Sequence, residues 1–286
     1  MRLCRFNDGR HGVVRGDTIH DVTAIVDRIL GRSANVTCGD PVIARLGEIT
    51  RSVTDAQESE TFPVSAVTLL SPVAHPSKLI AAPTNYRAHI AEMQADRAVT
   101  NPHLPQEIGK AGLFLKANSA LVGPAAGVAL RFPERRNDHE VEFVVVIGKP
   151  GSDIAEERAL EHVAGYTLGL DMTLRGPEDR SFRKSIDSYA VLGPWLITAD
   201  EIADPDDVDF SLSVNGEVRQ GANTSDLIYG VRKLIAYASS FYTLLPGDAI
   251  YTGSPEGVSP VKPGDVLVAT SPAIGSMKVA VRLHTA

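Results

Sequence analysis

The sequence is poor in cysteine and tryptophan and has no long apolar run, and these shortages exclude several kinds of protein. Its two cysteines, Cys4 and Cys38, cannot build a disulfide framework, so we expect both to be reduced and without a catalytic role. No apolar run approaches the roughly 20 residues that are needed to cross a bilayer. Charged residues from Arg2 onward interrupt the N-terminus, which therefore lacks the apolar core of a signal peptide. We expect a cytoplasmic protein.

Positive charge is also in short supply. The chain has 28 lysines and arginines against 35 acidic residues, and the resulting net charge of −7 argues against a nucleic-acid partner. There is no internal repeat and no phosphate-binding glycine loop. The 286 residues are enough to bury a large core and to form more than one domain. A metabolic enzyme that acts on a small molecule fits this composition.

Turn signals divide the chain into two predicted domains. Short β-like pieces and turns in 1–73 predict a small α+β N-terminal domain, and prolines at both ends of 72–76 mark a junction. Short strands dominate 74–286, so we expect a catalytic domain that is mainly β with some α/β elements. The clearest helix is predicted to begin at Ser225, with apolar residues at core-facing spacing: Leu227, Ile228, Val231, Leu234, Ile235 and Ala238.

The most informative pattern is a pair of carboxylates at the head of an apolar strand. Glu140 and Glu142 introduce a run to Ile147 that is rich in β-branched residues, and side chains on a strand alternate between its faces. The two carboxylates therefore point the same way, and if they are buried they require either protonation or a cation. Oxygen ligands favour Mg²⁺, Mn²⁺ or Ca²⁺ over zinc. The alternative is a strand whose acidic face is exposed to solvent.

A third acid stands at the end of another apolar strand. That strand is predicted from Gly165 to Thr173, with Asp171 near its end, and a short helix capped by Ser152 or Asp153 is predicted between the two strands. A connection of this length can return the second strand beside the first, which makes Asp171 a candidate third ligand. Asp138 shares the face of the acidic pair and is a candidate acceptor that orients a bound water.

Basic residues that suit an anionic ligand come next. Arg175 and Lys184 lie in a charged stretch that leads into an apolar run containing the only tryptophan. Arginine can bind a carboxylate through two parallel hydrogen bonds, and lysine can polarise a carbonyl as a compact charge. We therefore take both as candidates for substrate binding, with an exposed run of charge as the alternative.

His89 and Glu92 form a second candidate cluster. On a helix their spacing makes them neighbours, so the carboxylate can orient the imidazole and raise its basicity toward a water molecule. An ordinary pair on a helix surface is the alternative. The polar stretch 93–112 contains prolines and predicts a loop long enough to act as a lid.

These residues fall within a series of ordered blocks that extends from about Leu79 to the C-terminus. The blocks are Asn85-Tyr86 with His89 and Glu92, Phe114-Leu115-Lys116, Glu140-Val141-Glu142 with Ile147-Gly148-Lys149, Gly165-Tyr166 with Asp171, Lys184-Ser185, Gly193-Pro194-Trp195, Val214-Asn215-Gly216-Glu217 with Arg219-Gln220, Pro246-Gly247-Asp248 and Thr252-Gly253-Ser254-Pro255. By these blocks the chain resembles the fumarylacetoacetate hydrolase family. The resemblance implies a catalytic domain with a mixed β-roll or β-sandwich fold, a bound Mg²⁺ or Mn²⁺, and a homodimer.

The resemblance also implies a role for each cluster. Glu140, Glu142 and Asp171 match the metal ligands of the family. His89, oriented by Glu92, matches the base that activates water, and Lys184 matches a catalytic lysine. The remaining substrate-binding residues and second-tier candidates on this reading are Tyr86, Lys116, Arg175, Glu178, Asp187 and Ser254.

Two departures from the family pattern stand out. After the metal-binding aspartate the family usually has an arginine, an acid and then a glutamine, whereas this chain has Arg175-Gly176-Pro177-Glu178, and its stretch to Lys184 is shorter. We expect the pocket to differ on that side. Ser254 replaces the usual threonine and keeps the hydroxyl.

The function that fits both the residues and the resemblance is metal-dependent hydrolysis of a carbon–carbon bond in an acylpyruvate or a related 2,4-diketo acid. Retention of His89 and Glu92 favours it, because activating a water requires a base. The same metal site could instead decarboxylate oxaloacetate, or isomerise or hydrate a hydroxymuconate-like substrate. A non-catalytic binder of 2-oxo acids is a further alternative, but the carboxylates and the histidine are all present.

Overall fold

The computed structural model describes residues 1–31, 39–54, 59–95 and 107–285. Its strands are β1 (Arg2–Phe6), β2 (Arg10–Arg15), β3 (Thr18–Asp21), β4 (Thr61–Pro63), β5 (Leu69–Leu70), β6 (Leu79–Ala81), β7 (Phe114–Lys116), β8 (Leu121–Val122), β9 (Val128–Leu130), β10 (Asn137–His139), β11 (Val141–Ile147), β12 (Val163–Asp171), β13 (Thr173–Leu174), β14 (Ala190–Thr198), β15 (Asp209–Val214), β16 (Glu217–Asn223), β17 (Ala249–Tyr251), β18 (Ser259–Pro260), β19 (Val266–Ser271) and β20 (Gly275–Leu283).

The helices are short and lie between these strands. They are α1 (Thr23–Leu30), α2 (Pro41–Ala44), α3 (Leu46–Thr54), α4 (Arg87–Ala95), α5 (Ile108–Ala111), α6 (Arg180–Lys184) and α7 (Val231–Ser239). Single 3₁₀ segments complete the described structure at Val64–Ala66, Asn118–Ala120, Pro124–Ala126, Glu156–His162, Ala199–Glu201 and Thr224–Asp226. Within the described ranges, no helix is long and apolar enough to span a membrane.

Three sheets form the framework of the protein. The largest has the order β4-β3-β2-β1-β14-β12-β11-β17-β6-β7, with β5 on β1 and β8 on β14. A three-stranded sheet has the order β13-β10-β18, and a five-stranded sheet has the order β16-β15-β19-β20-β9. The mainly β architecture that the sequence predicts is confirmed.

The N-terminal strands continue the largest sheet. β1 is antiparallel to β14, with Leu3 opposite Leu196. β2, β3 and β4 extend the same sheet outward. The boundary predicted near residue 73 therefore separates two stretches of chain that share one sheet, and the division into domains stays a prediction.

β11 and β12 lie in the middle of this sheet and are buried on both faces. Val141 and Phe143 on one face of β11 belong to the main core, while Val144 on the other face packs in a separate cluster. The strands run antiparallel, so the start of β11 meets the end of β12, where the Asp171 amide donates to the Glu140 carbonyl at 2.8 Å. This pairing brings the acids that the sequence places at opposite ends of two strands to one point.

Two helix predictions were wrong in their limits. The helix predicted from Ser225 begins only at Val231, because Leu227 is extended and forms an isolated β-bridge with Tyr86. Neither Ser152 nor Asp153 caps a helix, and the segment after them is a 3₁₀ helix over Glu156–His162. The amide of Ile154 instead donates to the Ser239 hydroxyl at the end of α7.

The remaining sequence predictions are placed as follows. The predicted lid at 93–112 lies largely in 96–106, outside the described residues, and α4 and α5 flank that stretch. Cys4 is a free, fully buried thiol in β1, and burial raises its pKa to about 12, so it is not a reactive thiolate. Cys38 also lies outside the described residues.

Candidate active site and metal centre

Glu140, Glu142 and Asp171 each offer a carboxylate oxygen, and these oxygens lie within 4.8 Å of one another. The three residues are at most 4% exposed. Gly253 approaches closely enough for its amide to donate to Glu142 Oε2 at 2.6 Å, and its φ of +111° suits a residue without a side chain. The residues predicted as metal ligands are thus brought together in a buried cluster.

Two buried lysines neutralise part of this cluster. Lys184 Nζ, at the end of α6, lies 2.7 Å from Glu140 Oε2 and 2.6 Å from Asp171 Oδ2. Lys116, from β7, forms an ion pair with the other oxygen of Asp171. Glu142 forms no ion pair with any described residue. The lysines therefore pair with Glu140 and Asp171 and leave the carboxylate of Glu142 without a lysine partner.

The pKa values of the two glutamates move in opposite directions. Burial opposes ionisation of Glu140, but Lys184 and Arg175 outweigh it and hold the pKa of that carboxyl well below its usual range. Burial raises the pKa of Glu142 well above its usual range, and the negative charge of Asp171 raises it further. Glu142 thus carries the unrelieved repulsion of the cluster, which a cation would remove.

Arg175 and Asp138 support the cluster from one side. Arg175 Nη2 donates to Glu140 Oε1 at 2.9 Å, and its Nε donates to Asp138 Oδ2 at 2.7 Å. Arg136 Nε also donates to Asp138, at 2.8 Å. In the described structure Asp138 accepts from arginines, and Arg175 is held against a predicted metal ligand.

His89 and Glu92 lie on α4, as predicted. His89 Nδ1 is 3.2 Å from Glu92 Oε2, and the other oxygen of Glu92 accepts the Gly257 amide at 2.9 Å. Burial opposes ionisation of Glu92, but the His89 hydrogen bond and the Gly257 amide keep its pKa below the usual value. Because a carboxylate only accepts, Nδ1 carries the proton and Nε2 holds the free lone pair. His89 lies near enough to Glu140 for a positive charge on its ring to lower the pKa of that carboxyl, so the dyad is close to the carboxylates.

A metal ion of the predicted kind fits the residues that are present. The three carboxylates are an oxygen-only donor set. Among the described residues the buried Tyr86 hydroxyl has no hydrogen-bond partner, and Glu142 is the nearby charge that most affects it. A buried hydroxyl normally has a partner, so this one suits a ligand or a water molecule held at the centre.

The structure brings in a residue to which the sequence assigned no role. Gln220 Oε1 accepts from the amide of Val141 at 3.0 Å and from His139 Nδ1 at 2.9 Å, and its Nε2 donates to Ser254 Oγ at 2.8 Å. Within the described part of the chain, the one contact for the Ser254 hydroxyl proton is a long one of 3.4 Å with the Pro255 carbonyl. Gln220 therefore leaves Ser254 as a donor toward a ligand oxygen. Its presence in the Arg219-Gln220 block was the only sequence signal.

Two of the residues predicted to bind substrate are engaged elsewhere. Glu178 forms paired hydrogen bonds of 2.9 and 2.8 Å with Arg135. Asp187 has a side chain that is 61% exposed and pairs with Arg131. The structure does not bring either carboxylate to the cluster.

Known proteins resemble this chain over most or all of its length. A family model described as fumarylacetoacetate (FAA) hydrolase C-terminal matches residues 78–282. Maleylpyruvate hydrolase of Aquipseudomonas alcaligenes is 53% identical over 285 residues, which cover 99% of each protein. The mitochondrial oxaloacetate tautomerase FAHD2A of Homo sapiens is 36% identical over 244 residues, which cover 80% of this chain and 74% of the relative.

A solved structure extends the similarity to the whole fold. The crystal structure of maleylpyruvate hydrolase from Sphingobium sp. SYK-6, in complex with manganese(II) ion and pyruvate, matches with a TM-score of 0.84 at 38% identity, covering 100% of both chains. The match of the family model over most of the chain, together with these relatives, leads to one conclusion: the chain belongs to the fumarylacetoacetate hydrolase family.

Proposed function

We propose that this protein is a divalent-metal-dependent hydrolase that cleaves the carbon–carbon bond of an acylpyruvate, with maleylpyruvate as the leading substrate. The observation that carries the proposal is the buried cluster of Glu140, Glu142 and Asp171 beside the His89–Glu92 dyad. The full-length relative at 53% identity is a maleylpyruvate hydrolase, and the similar crystal structure holds manganese and pyruvate. Glu140, Glu142 and Asp171 would hold the metal.

The chain's own groups account for the movement of the proton. His89 Nε2 takes a proton from water, and Glu92, bonded to Nδ1, stabilises the imidazolium that forms. The hydroxide adds to the carbonyl of the acyl group, the bond between that carbon and C3 of the pyruvate unit breaks, and C3 receives the proton. One water is consumed, and pyruvate and the carboxylic acid of the acyl group are released.

Charge develops on the pyruvate unit as the bond breaks. A bound divalent cation would supply Lewis-acid stabilisation of that charge. Lys184 presents an ammonium group at the cluster, and Ser254 and Tyr86 present hydroxyl donors for ligand oxygens. The buried walls keep bulk water away, so each of these interactions is stronger than it would be in solution.

Pyruvate release from maleylpyruvate and acetylpyruvate with Mn²⁺, with and without a chelator, tests the proposal. We expect release together with a carboxylic acid co-product, and loss of both on chelation. His89→Ala should lower kcat by at least about a hundredfold, the usual contribution of a positioned base, while the Kd for Mn²⁺ changes little. The exposed His284→Gln is the matched control. Near wild-type turnover in His89→Ala would remove the dyad from the mechanism.

The same assay separates the competing reactions. If the protein releases carbon dioxide from oxaloacetate and cleaves neither acylpyruvate, it is a decarboxylase and not a hydrolase. Interconversion of keto and enol forms without cleavage would align the protein with its tautomerase relative. Magnesium as the native metal, a homodimer and a cytoplasmic location stay predictions from the sequence and the resemblance.

A further inference from the structure

Most of the basic side chains around the carboxylate cluster have a described partner. Arg135 pairs with Glu178, and Arg175 pairs with Asp138 and Glu140. Arg183 donates to the backbone carbonyls of Glu178 and Leu174, which fixes the turn before α6. The lysines are paired with Asp171. Arg180 is the basic residue of this region for which no hydrogen bond or ion pair is found within 1–31, 39–54, 59–95 and 107–285.

Arg180 lies beside the proposed reaction site. It is the first residue of α6, one helical turn before Lys184, so the two side chains share a face. The guanidinium carbon of Arg180 is 5.6 Å from the centre of the Phe114 ring, and Lys184 Nζ is 5.5 Å from the same centre. Glu140 and Asp171 both act electrostatically on Arg180. Two cations thus lie over one aromatic ring: Lys184, which contacts the carboxylates, and Arg180, one turn earlier in the helix.

A partly buried cation without a carboxylate partner is costly. Burial lowers the pKa of the Arg180 guanidinium, and the neighbouring acids oppose this effect without forming hydrogen bonds to it. The ring of Phe114 offers some compensation but accepts no hydrogen bond. The donors of the guanidinium fork are therefore available to a ligand, and the ligand that matches this fork best is a planar carboxylate.

We propose that Arg180 binds the second carboxylate of the substrate, at the end of the acyl group remote from the pyruvate unit. The site would then select dicarboxylic acylpyruvates over those whose acyl group is uncharged. This inference rests on the proposed function, since it assigns the pyruvate end to the carboxylate cluster. Maleylpyruvate has a carboxylate at each end, as the inference requires. Glu178, near the position where the family usually has a substrate-binding glutamine, is held by Arg135 instead.

Kinetics on two substrates test the assignment. Arg180→Gln should lower kcat/KM for maleylpyruvate by about tenfold to a hundredfold, the effect of losing a hydrogen-bonded charge, and should leave acetylpyruvate within about twofold. Arg180→Lys, which keeps the charge but not the fork, should lose less. Arg158→Gln removes an exposed arginine paired with Glu161 and is the matched control. Equal losses on both substrates, or no loss on either, would overturn the inference.

Binding measurements separate this inference from the proposed function. 2-Oxoadipate and 2-oxohexanoate have chains of equal length, but only 2-oxoadipate has a second carboxylate. Neither acid has a diketone bond to cleave. Calorimetry on the Mn²⁺-loaded protein should show that Arg180→Gln raises the Kd for 2-oxoadipate by about tenfold or more and leaves the Kd for 2-oxohexanoate almost unchanged. If the wild-type protein cleaves no acylpyruvate but Arg180→Gln still loses binding of 2-oxoadipate selectively, the proposed hydrolase is refuted and the role of Arg180 is retained. Equal weakening of both acids would refute the role of Arg180 whatever the catalysis.

Discussion

Replacing Glu142 with glutamine should separate the metal-binding role of the cluster from its effect on folding. The side chain is 1% exposed and forms no ion pair with the described residues. Glutamine has nearly the same size, and its carbonyl oxygen can still accept the Gly253 amide that now donates to Glu142 Oε2 at 2.6 Å. The substitution therefore removes a charge while preserving the packing.

The magnitude follows from the geometry of the cluster. Two unit charges 4.8 Å apart repel by roughly 3.5 kcal/mol at an effective dielectric constant of about 20. Burial, Asp171 and Glu140 raise the pKa of Glu142 in the folded protein, so its ionisation destabilises the fold as the pH rises above the unfolded value. Protonation of the carboxyl and the nearby Lys184 limit the net cost. We expect Glu142→Gln to stabilise the metal-free protein by about 1–3 kcal/mol at pH 7.

Added Mn²⁺ should stabilise the wild-type protein more than Glu142→Gln, which is the opposite of the order of stabilities expected without metal. A ligand at 100 times its Kd stabilises the folded state by about 2.7 kcal/mol, which raises the Tm of a chain of this size by roughly 4–5 °C. The wild-type protein should show this rise and Glu142→Gln should not. Thermal unfolding of both proteins, with chelator and with Mn²⁺, measures the two effects together. A less stable metal-free variant that still gains stability from Mn²⁺ would refute the reasoning.

Two further substitutions test positioning and stability. Gln220→Leu removes the amide that makes Ser254 a donor, so the KM for acylpyruvates should rise by about tenfold with a smaller change in kcat. An unchanged KM in steady-state kinetics would contradict this role of Gln220. Asp40→Ala removes a 1% exposed carboxylate that accepts four backbone amides, including those that begin α2. The free energy of unfolding in urea should fall by about 3–4 kcal/mol, whereas the exposed Asp27→Ala should stay within about 0.5 kcal/mol.

Local pattern was sufficient for the parts of the site that depend on one element. Alternation along a strand predicts that Glu140 and Glu142 point the same way, and three-residue spacing on a helix predicts the His89–Glu92 hydrogen bond. The apolar runs around them predict buried strands because few polar residues interrupt those runs. Both predictions describe neighbours in sequence, for which spacing alone fixes geometry.

The rest of the site depends on contacts between distant parts of the chain. Lys116 meets Asp171 across 55 residues, and Gln220 meets Val141 across 79. No periodicity encodes such a meeting, which depends on how sheets are ordered. For the same reason spacing could not show that Glu178 and Asp187 turn to Arg135 and Arg131. The predicted start of the last helix at Ser225 was wrong because Leu227 forms a β-bridge, which overrides the apolar spacing.

The pairing of β1 with β14 determines which fragments of this protein can remain monomeric. If the chain were cut near residue 73, the end of β14 around Leu196 would present unpaired amides and carbonyls in the middle of an apolar stretch. Such an exposed edge is a template for another strand, from a second copy or from an aggregate. The first strand of the chain therefore protects its catalytic part from edge-to-edge association.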